Sequence, residues 1–190
     1  KDSLKILKET NALIEGHFIL SSGLHSHQYV QCAQLLSKPF AAKKLCNSLA
    51  EKITKNFKNI DLILSPAMGG VIIGYEMGRI LKKETIFSER VNGKFVLRRG
   101  FEILQDKKIL IVEDVITTGK SSLECSKLIT DAKAHLLGFA CLIDRSNNQS
   151  ILNRKIVSQV KISIKTYKKN KLPKNLISIS ITKPGSRYIK

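Results

Sequence analysis

The stretch ILIVEDVITTGKSS, residues 109–122, holds four strand-forming apolar residues, then two carboxylates, and then a short run of Val, Ile, Thr, Gly, Lys and Ser. The apolar run predicts a buried strand, and SSLECSKLI after it has the apolar spacing of a helix. In open α/β sheets, ligands bind where a strand ends and the following loop opens a helix. We therefore expect a ligand site at this strand end.

The turn over residues 117–121 has the features of a phosphate site. A helix start presents unpaired backbone N–H groups and the positive end of the helix dipole, and both favour an anion. The hydroxyls of Thr117, Thr118 and Ser121 add donors, and Gly119 permits a close backbone approach. This half of the stretch is therefore predicted to bind a phosphate.

The acidic pair Glu113 and Asp114 repels anions but accepts hydrogen bonds from sugar hydroxyls, or binds a metal ion. An acidic residue binds ribose in this way in dinucleotide folds. A ribose 5-phosphate carries both a vicinal diol and a phosphate, so one ligand accounts for both halves. Two alternatives stay open. One is a P-loop, although Asp114 stands where that motif needs a glycine; the other is a surface loop whose acids only solvate the strand end.

Helix and strand patterns alternate along the chain, which predicts an α/β fold with a mostly parallel central sheet flanked by helices. Residues 1–15 have helix-like spacing. Residues 37–57 form the clearest helix, with Ser37 as its cap. Its apolar stripe is formed by Phe40, Leu45, Leu49 and Ile53. The other predictions are strands at IDLILSP, Thr85–Ser88, KKILIV and HLLGFACLI, and helices at Val71–Leu81 and SSLECSKLITDAKA.

Composition limits the class of protein. The chain has 190 residues, of which 43% are hydrophobic, and this suits one domain spanning residues 1–190. The net charge of +18 favours anionic partners, but the lysines are spread out without a basic cluster among aromatics, so we expect no nucleic acid partner.

The four cysteines lack metal-ligand spacing and indicate buried apolar positions. No apolar run reaches the length of a membrane span, so we expect a cytoplasmic protein without a membrane partner.

The acidic stretch resembles the signature of the type I phosphoribosyltransferase family, which is four apolar residues, two acids and a Thr-rich loop ending in TG. Four more segments resemble the orotate phosphoribosyltransferases: GHFILSSGLHSHQYVQCAQLL, SPAMGGVIIGYEMGR, FSERVNGKFVLRRGFEI and DRSNN. The resemblance spans residues 12 to about 147. It implies the phosphoribosyltransferase-like fold, with a small N-terminal hood and a mobile loop.

The same resemblance implies a reaction. Ribose 5-phosphate would pass from phosphoribosyl pyrophosphate to N1 of orotate, giving orotidine 5'-monophosphate and pyrophosphate in de novo pyrimidine (UMP) biosynthesis. Mg²⁺ is implied as the cofactor, held mainly by the pyrophosphate and ribose hydroxyls of the substrate, with no metal ligand assigned in the protein. A homodimer with shared active sites is implied as well.

The resemblance also assigns residues. Glu113 and Asp114 would hold the ribose hydroxyls, and Asp114 counts among the catalytic residues. The residues expected to bind the 5-phosphate are Val115, Ile116, Thr117, Thr118, Gly119, Lys120 and Ser121. Orotate would contact Thr117 and Arg145. The planar fork of Arg145 suits the orotate carboxylate, although a solvated loop cation remains an alternative for it.

The turn SPAMGG resembles the family's pyrophosphate-binding turn, centred on Ala67, Met68, Gly69 and Gly70. Some relatives carry an aromatic residue followed by a lysine at the positions of Met68 and Gly69, and a lysine can also stand at the position of Ser21. Neither lysine is present here. Contacts with anions would therefore fall on backbone amides, the metal and more distant cations.

Those cations are expected in SERVNGKFVLRRG, a segment that in the family closes over the reacting centre. Arg90 and Lys94 are expected to be catalytic, and Asn92 with Gly93 to form a turn. Arg98 and Arg99 could serve as well, or could lie on a solvated strand face.

Two further questions stay open. His25 and His27 would line the orotate pocket or lie in a surface turn, whereas His17 and His135 show no partner. The alternative functions are another nucleobase phosphoribosyltransferase, for a purine or uracil, and a non-catalytic regulator that senses ribose phosphates.

Overall fold

The computed structural model describes residues 2–20, 22–146 and 150–184. The chain forms two compact units, residues 1–41 with 163–190 and residues 42–162. The helices are α1 Asp2–Glu9, α2 Cys32–Leu36, α3 Pro39–Asn56, α4 Gly69–Leu81, α5 Lys120–Asp131 and α6 Lys174–Ile177. The strands are β1 Leu13–Ile19, β2 His25–Val30, β3 Leu62–Pro66, β4 Glu84–Val91, β5 Lys94–Val96, β6 Lys108–Ile116, β7 His135–Asp144, β8 Ile156–Lys161, β9 Thr166–Tyr167 and β10 Ile181–Thr182. Ser21 and the two asparagines of DRSNN lie outside the described residues, as does the end of the chain from residue 185.

The unit of residues 42–162 is built on a sheet with strand order β5-β4-β3-β6-β7-β8. All neighbouring pairs are parallel except β4 with β5, which form an antiparallel hairpin. The predicted α/β fold with a mostly parallel sheet and flanking helices is therefore confirmed. The strand order reverses between β3 and β6, and this is where open α/β sheets bind their ligands.

The apolar runs of the sequence form the centre of this sheet. All five residues of β3 are buried, and Ile109, Leu110, Ile111 and Val112 of β6 are fully enclosed. A parallel sheet covered by helices needs such continuous apolar strands, because both faces of each strand are buried. The four cysteines are free and buried, as predicted.

The other unit contains a small sheet with strand order β10-β1-β2-β9, in which β10 runs parallel to β1. It encloses two histidines that hydrogen bond to each other, His17 Nε2 lying 2.7 Å from His25 Nδ1. His17 Nδ1 lies 3.2 Å from the carbonyl oxygen of Ile179, so it carries a proton and donates it. One proton lies between His17 Nε2 and His25 Nδ1 in this contact, and burial lowers the pKa of His25. No partner for His17 was evident from the sequence, whereas the fold places His25 and the Ile179 carbonyl against it.

Several predicted details are wrong. The helix expected over 37–57 exists as α3, but Phe40 is 97% exposed, so the apolar stripe begins one turn later. Ser37 ends α2 instead of capping α3, and its hydroxyl donates to the carbonyl of Gln34. The helix expected over 1–15 ends at Glu9, because Asn11 takes a left-handed conformation that terminates it. Ile14 therefore belongs to β1.

Within the three described ranges, no helix is long and apolar enough to cross a membrane.

Candidate active site

The acidic pair lies inside β6, which continues past the predicted strand end as far as Ile116. It continues because its backbone stays paired with β7, up to Ile116 opposite Asp144. The side chain of Ile116 is buried, so only the main chain of this residue is available to a ligand. The carboxylates are thus carried by the rigid central strand, two residues before the exposed turn.

Glu113 is 8% exposed and accepts a hydrogen bond from the hydroxyl of Ser122, on α5. Burial raises the pKa of Glu113 to about 7, and the neighbouring Asp114 carboxylate acts in the same direction. The Ser122 hydrogen bond opposes the shift, because it favours the charged form. The sequence pattern indicates only a helix residue at Ser122, because its contact with Glu113 depends on how α5 packs on β6.

Asp114 is partly buried, and burial raises its pKa as well. Its Oδ1 accepts a hydrogen bond of 2.8 Å from the backbone N–H of Val115. Gly69 is packed directly against this carboxylate. A Cβ added at Gly69 would lie 2.8 Å from both oxygens of Asp114. The expected pyrophosphate turn and the expected ribose acids therefore meet at the place where the strand order reverses.

The predicted phosphate turn is short and open. Thr117, Thr118, Lys120 and Ser121 are exposed, and α5 begins at Lys120, so the first N–H groups of the helix face the turn. Gly119 has a φ of 82°, a left-handed conformation that suits glycine. A Cβ there would lie 2.6 Å from Leu152 Cγ. The turn therefore needs glycine for both conformation and space.

The expected pyrophosphate turn connects β3 to α4. The helix begins at Gly69 and not at Val71 as predicted, so the two glycines form its first turn. Met68 is 84% exposed, and the Ala67–Met68 peptide bond is cis. The backbone N–H of Ala67 donates to the carbonyl of Ser88, 2.8 Å away. Because Gly69 and Gly70 have no side chains, the backbone N–H groups at the start of α4 are accessible to a ligand, and such groups bind anions.

Arg145 follows β7 at the same edge of the sheet. Its backbone N–H donates to the carbonyl of Ile116, 2.8 Å away, so it lies beside the start of the phosphate turn. The structure thereby brings Arg145 next to Thr117, the other residue expected to contact orotate.

The segment expected to be mobile begins as the hairpin β4–β5. Asn92 and Gly93 have φ values of 49° and 80°, which form the predicted turn. The Arg90 guanidinium lies 4.2 Å from the ring centre of Phe95, donates to the Gly93 carbonyl at 2.5 Å and pairs with Glu124 of α5 at 2.6 Å. Lys94 is exposed at the hairpin tip.

The other two arginines follow β5 and are not part of a strand. Arg99 has a positive φ of 61° and forms a two-bond pair with Glu89, at 3.0 and 3.1 Å. Arg98 is exposed. The strand-face alternative for these residues is therefore wrong, because the backbone turns at this point.

Among the described residues, we find no group of three or more His, Cys, Asp or Glu side chains that could hold a metal ion. Glu113 and Asp114 offer the carboxylate oxygens that Mg²⁺ prefers, and Mg²⁺ usually takes other ligands from substrate phosphates and water. The arrangement therefore suits an ion that arrives with an oxygen-rich substrate.

Known proteins resemble the chain in both sequence and fold. The family model for the phosphoribosyl transferase domain matches residues 33–174. An orotate phosphoribosyltransferase of Parvibaculum lavamentivorans is 46% identical over 192 residues, covering 99% of both chains. One from Erythrobacter litoralis is 43% identical, covering 98% of this chain and 97% of its own. The crystal structure of orotate phosphoribosyltransferase from Aeropyrum pernix has a TM-score of 0.70 at 23% identity and covers 83% of this chain and 92% of its own.

Proposed function

We propose the following reaction for this chain, which belongs to the phosphoribosyltransferase family and is similar over nearly its whole length to proteins named orotate phosphoribosyltransferase. It transfers ribose 5-phosphate from phosphoribosyl pyrophosphate to N1 of orotate. The products are orotidine 5'-monophosphate and pyrophosphate, and the step belongs to de novo UMP biosynthesis.

The observation that carries this proposal is the contact between Gly69 and the Asp114 carboxylate. Phosphoribosyl pyrophosphate bears its pyrophosphate on C1 of the ribose, next to the hydroxyls of C2 and C3. A site for it therefore needs anion donors and sugar acceptors side by side. The α4 start and the acidic pair meet in this way, and the phosphate turn lies directly after the pair on the same strand.

The 5-phosphate is bound by the exposed turn after β6. The residues proposed for it are Val115, Ile116, Thr117, Thr118, Gly119, Lys120 and Ser121. Backbone amides at the start of α5 and the threonine hydroxyls act as donors, and Ile116 contributes only through its main chain. Glu113 and Asp114 accept hydrogen bonds from the ribose hydroxyls, which orients C1 toward the base.

Orotate is held between Thr117 and Arg145. The guanidinium of Arg145 pairs with the orotate carboxylate, a group that adenine, guanine and uracil lack. Such a contact discriminates strongly between bases, because a base without the carboxylate leaves the arginine without its anionic partner.

In the chemical step, the bond between C1 and the pyrophosphate oxygen breaks, and its electron pair leaves with the pyrophosphate. Orotate reacts as an anion at N1, after the N1 proton has passed to solvent, and the N1 lone pair forms the new bond to C1. Arg90 and Lys94 supply positive charge for the departing pyrophosphate, and contacts that mature in the transition state raise turnover. Glu113 and Asp114 would be the nearest protein carboxylates to a Mg²⁺ ion that entered with the substrate, and such an ion would supply further positive charge for the departing pyrophosphate.

The proposed setting is the cytoplasm, as a homodimer with shared active sites and without nucleic acid or membrane partners. The exposed Lys94 at the hairpin tip is available to a neighbouring subunit, which is how a shared site would be completed.

A base-specificity assay tests the function. The purified protein is mixed with phosphoribosyl pyrophosphate, Mg²⁺ and one base at a time; release of pyrophosphate is followed for every base, and loss of absorbance is followed for orotate. Turnover with orotate alone is expected, and Asp114→Asn is expected to weaken it through a higher KM for the ribose donor. Turnover only with a purine or uracil would refute the orotate assignment. Binding of the donor without any turnover would favour the regulator.

A further inference from the structure

The hairpin β4–β5 is fastened to the helix that begins at the phosphate turn. Phe95 of β5 belongs to the same buried cluster as Cys125 and Ile129 of α5. At the surface, Arg90 crosses from β4 to Glu124 on α5 with a contact of 2.6 Å. Glu124 lies one helical turn after Lys120, which is about 6 Å along the axis from the helix start. The hairpin and the phosphate turn are therefore parts of one packed assembly.

Three contacts define the position of the Arg90 guanidinium. Its face covers Phe95, Nη1 donates to the Gly93 carbonyl, and Nη2 donates to Glu124 Oε2. The first two lie within the hairpin, so they shape the turn but do not attach it to anything else. Glu124 supplies the ion pair that attaches the turn end of the hairpin to α5, in addition to the buried contact of 3.3 Å between Ser88 Oγ of β4 and Cys125 Sγ of α5.

Glu124 has a second cation nearby. Lys120 Nζ lies 4.0 Å from Glu124 Oε1, while Arg90 uses the other carboxylate oxygen. The carboxylate thus stands between a cation of the phosphate turn and a cation of the hairpin, and it reduces the repulsion between them. Without this charge, Arg90 and Lys120 would repel each other and the hairpin would lean away from α5.

We infer that Glu124 is a positioning residue of the proposed reaction: through Arg90 it fixes the hairpin on α5 and so sets the position from which Lys94, at the hairpin tip, meets the departing pyrophosphate. This inference rests on the proposed function. Glu124 itself touches no substrate in this scheme. Its effect on turnover passes through Arg90.

The chain offers a matched control. Glu89 lies on the same strand β4 and pairs with Arg99 through two hydrogen bonds. Both glutamates make an exposed or half-exposed pair with an arginine, and such pairs contribute little to stability. Glu89→Gln and Glu124→Gln should therefore melt near the wild-type temperature, whereas only Glu124→Gln is expected to loosen the hairpin tip, because Phe95 stays packed against α5 in both variants.

Kinetics and hydrogen exchange test the inference together. Glu124→Gln should lower kcat roughly tenfold, the size of one lost charge-assisted contact, with little change in the KM for phosphoribosyl pyrophosphate. Added to Arg90→Gln, it should lower kcat no further, because the two act as a unit. Amide exchange over residues 91–95 should speed up in Glu124→Gln and Arg90→Gln but not in Glu89→Gln.

Equal effects of the two glutamate variants would overturn the inference, and so would additive effects in the double variant or unchanged amide exchange. The wild-type assay separates this from a failure of the proposed function. If wild type does not turn over orotate, the function fails, and the exchange measurement alone still decides whether Glu124 holds the hairpin.

Discussion

Glu113 makes stability depend on pH. Burial raises the pKa of Glu113 from 4.5 to about 7, so between these values the folded protein binds more protons than the unfolded chain. Its stabilising contribution is complete below pH 4.5 and is lost as the pH rises through 7. Glu113→Gln carries no charge at any pH. It should therefore be more stable than wild type at pH 8, by up to about 3 kcal/mol, with a difference that shrinks toward pH 4.

Urea denaturation between pH 4 and 8 measures this difference. Glu51→Gln, at an exposed position of α3, is the control and should follow wild type across the range. A Glu113→Gln curve that runs parallel to wild type would show that the carboxyl has no raised pKa.

Gly69→Ala tests the contact that carries the proposed function. The added methyl group would lie 2.8 Å from both oxygens of Asp114, so the carboxylate must move. Alanine is better than glycine in a helix by about 0.8–1 kcal/mol, so unfolding is not expected. The KM for phosphoribosyl pyrophosphate should rise about tenfold with the melting temperature nearly unchanged. Ile72→Ala, one turn along α4, is the control, and equal KM values for the two variants would contradict the contact.

At the residue scale, the sequence predicted groups that lie next to each other along the chain. Glu113 and Asp114 follow an apolar run. They lie near the phosphate turn because only two residues separate them from it in the sequence. Ser122 with Glu113, Gly69 with Asp114 and His17 with His25 are contacts across space. They depend on packing and register, so no local pattern could have indicated them.

At the scale of elements, the hairpin β4–β5 carries the cations proposed to contact the departing pyrophosphate. Lys94 is exposed at its tip and is proposed to meet the pyrophosphate as negative charge builds. Lys94→Ala should lower kcat by about 10- to 100-fold, the size of a hydrogen bond to a charged group, and leave KM nearly unchanged. Lys127→Ala, an exposed lysine of α5, is the control. A matching rise in KM would mean that Lys94 only binds the substrate.

The sequence predicted most elements but not all of their ends. Helix α3 matched because its apolar spacing persists over many turns. The start of α4 was placed two residues late, because Gly69 and Gly70 are poor helix formers by propensity, and tertiary packing overrides this. For the hairpin β4–β5, the sequence predicted the strand Thr85–Ser88 inside β4 and the turn at Asn92 and Gly93, but not β5, because β5 has three residues and too short a pattern to stand out.

For the whole molecule, alternation of strands and helices was enough to predict the parallel sheet, because crossover connections leave few other arrangements. The strand order could not be predicted. It places β3 next to β6, and this pairing alone brings residues 67–70 to the acidic pair. The small sheet was also missed, because β9 and β10 have two residues each and are recruited from far along the chain.

A mixing experiment tests the proposed homodimer. Lys94→Ala in the hairpin and Asp114→Asn in the ribose site are each expected to lower activity, and the ribose donor is kept well below the KM of Asp114→Asn so that both homodimers turn over slowly. If each hairpin completes the neighbouring subunit's site, a heterodimer of the two variants has one intact site and one with both changes. Random exchange in an equal mixture makes about half of the dimers heterodimers, so activity should recover to about a quarter of wild type.

The control mixture combines Lys94→Ala with Arg90→Gln, two changes in the same hairpin, and should recover nothing, because every hairpin in it is impaired. The Arg90–Glu124 pair joins the hairpin to α5 of its own chain. A hairpin held there could also serve its own site, and in that case no mixture would recover. Recovery in the first mixture alone therefore requires both a dimer and a hairpin whose tip reaches across it.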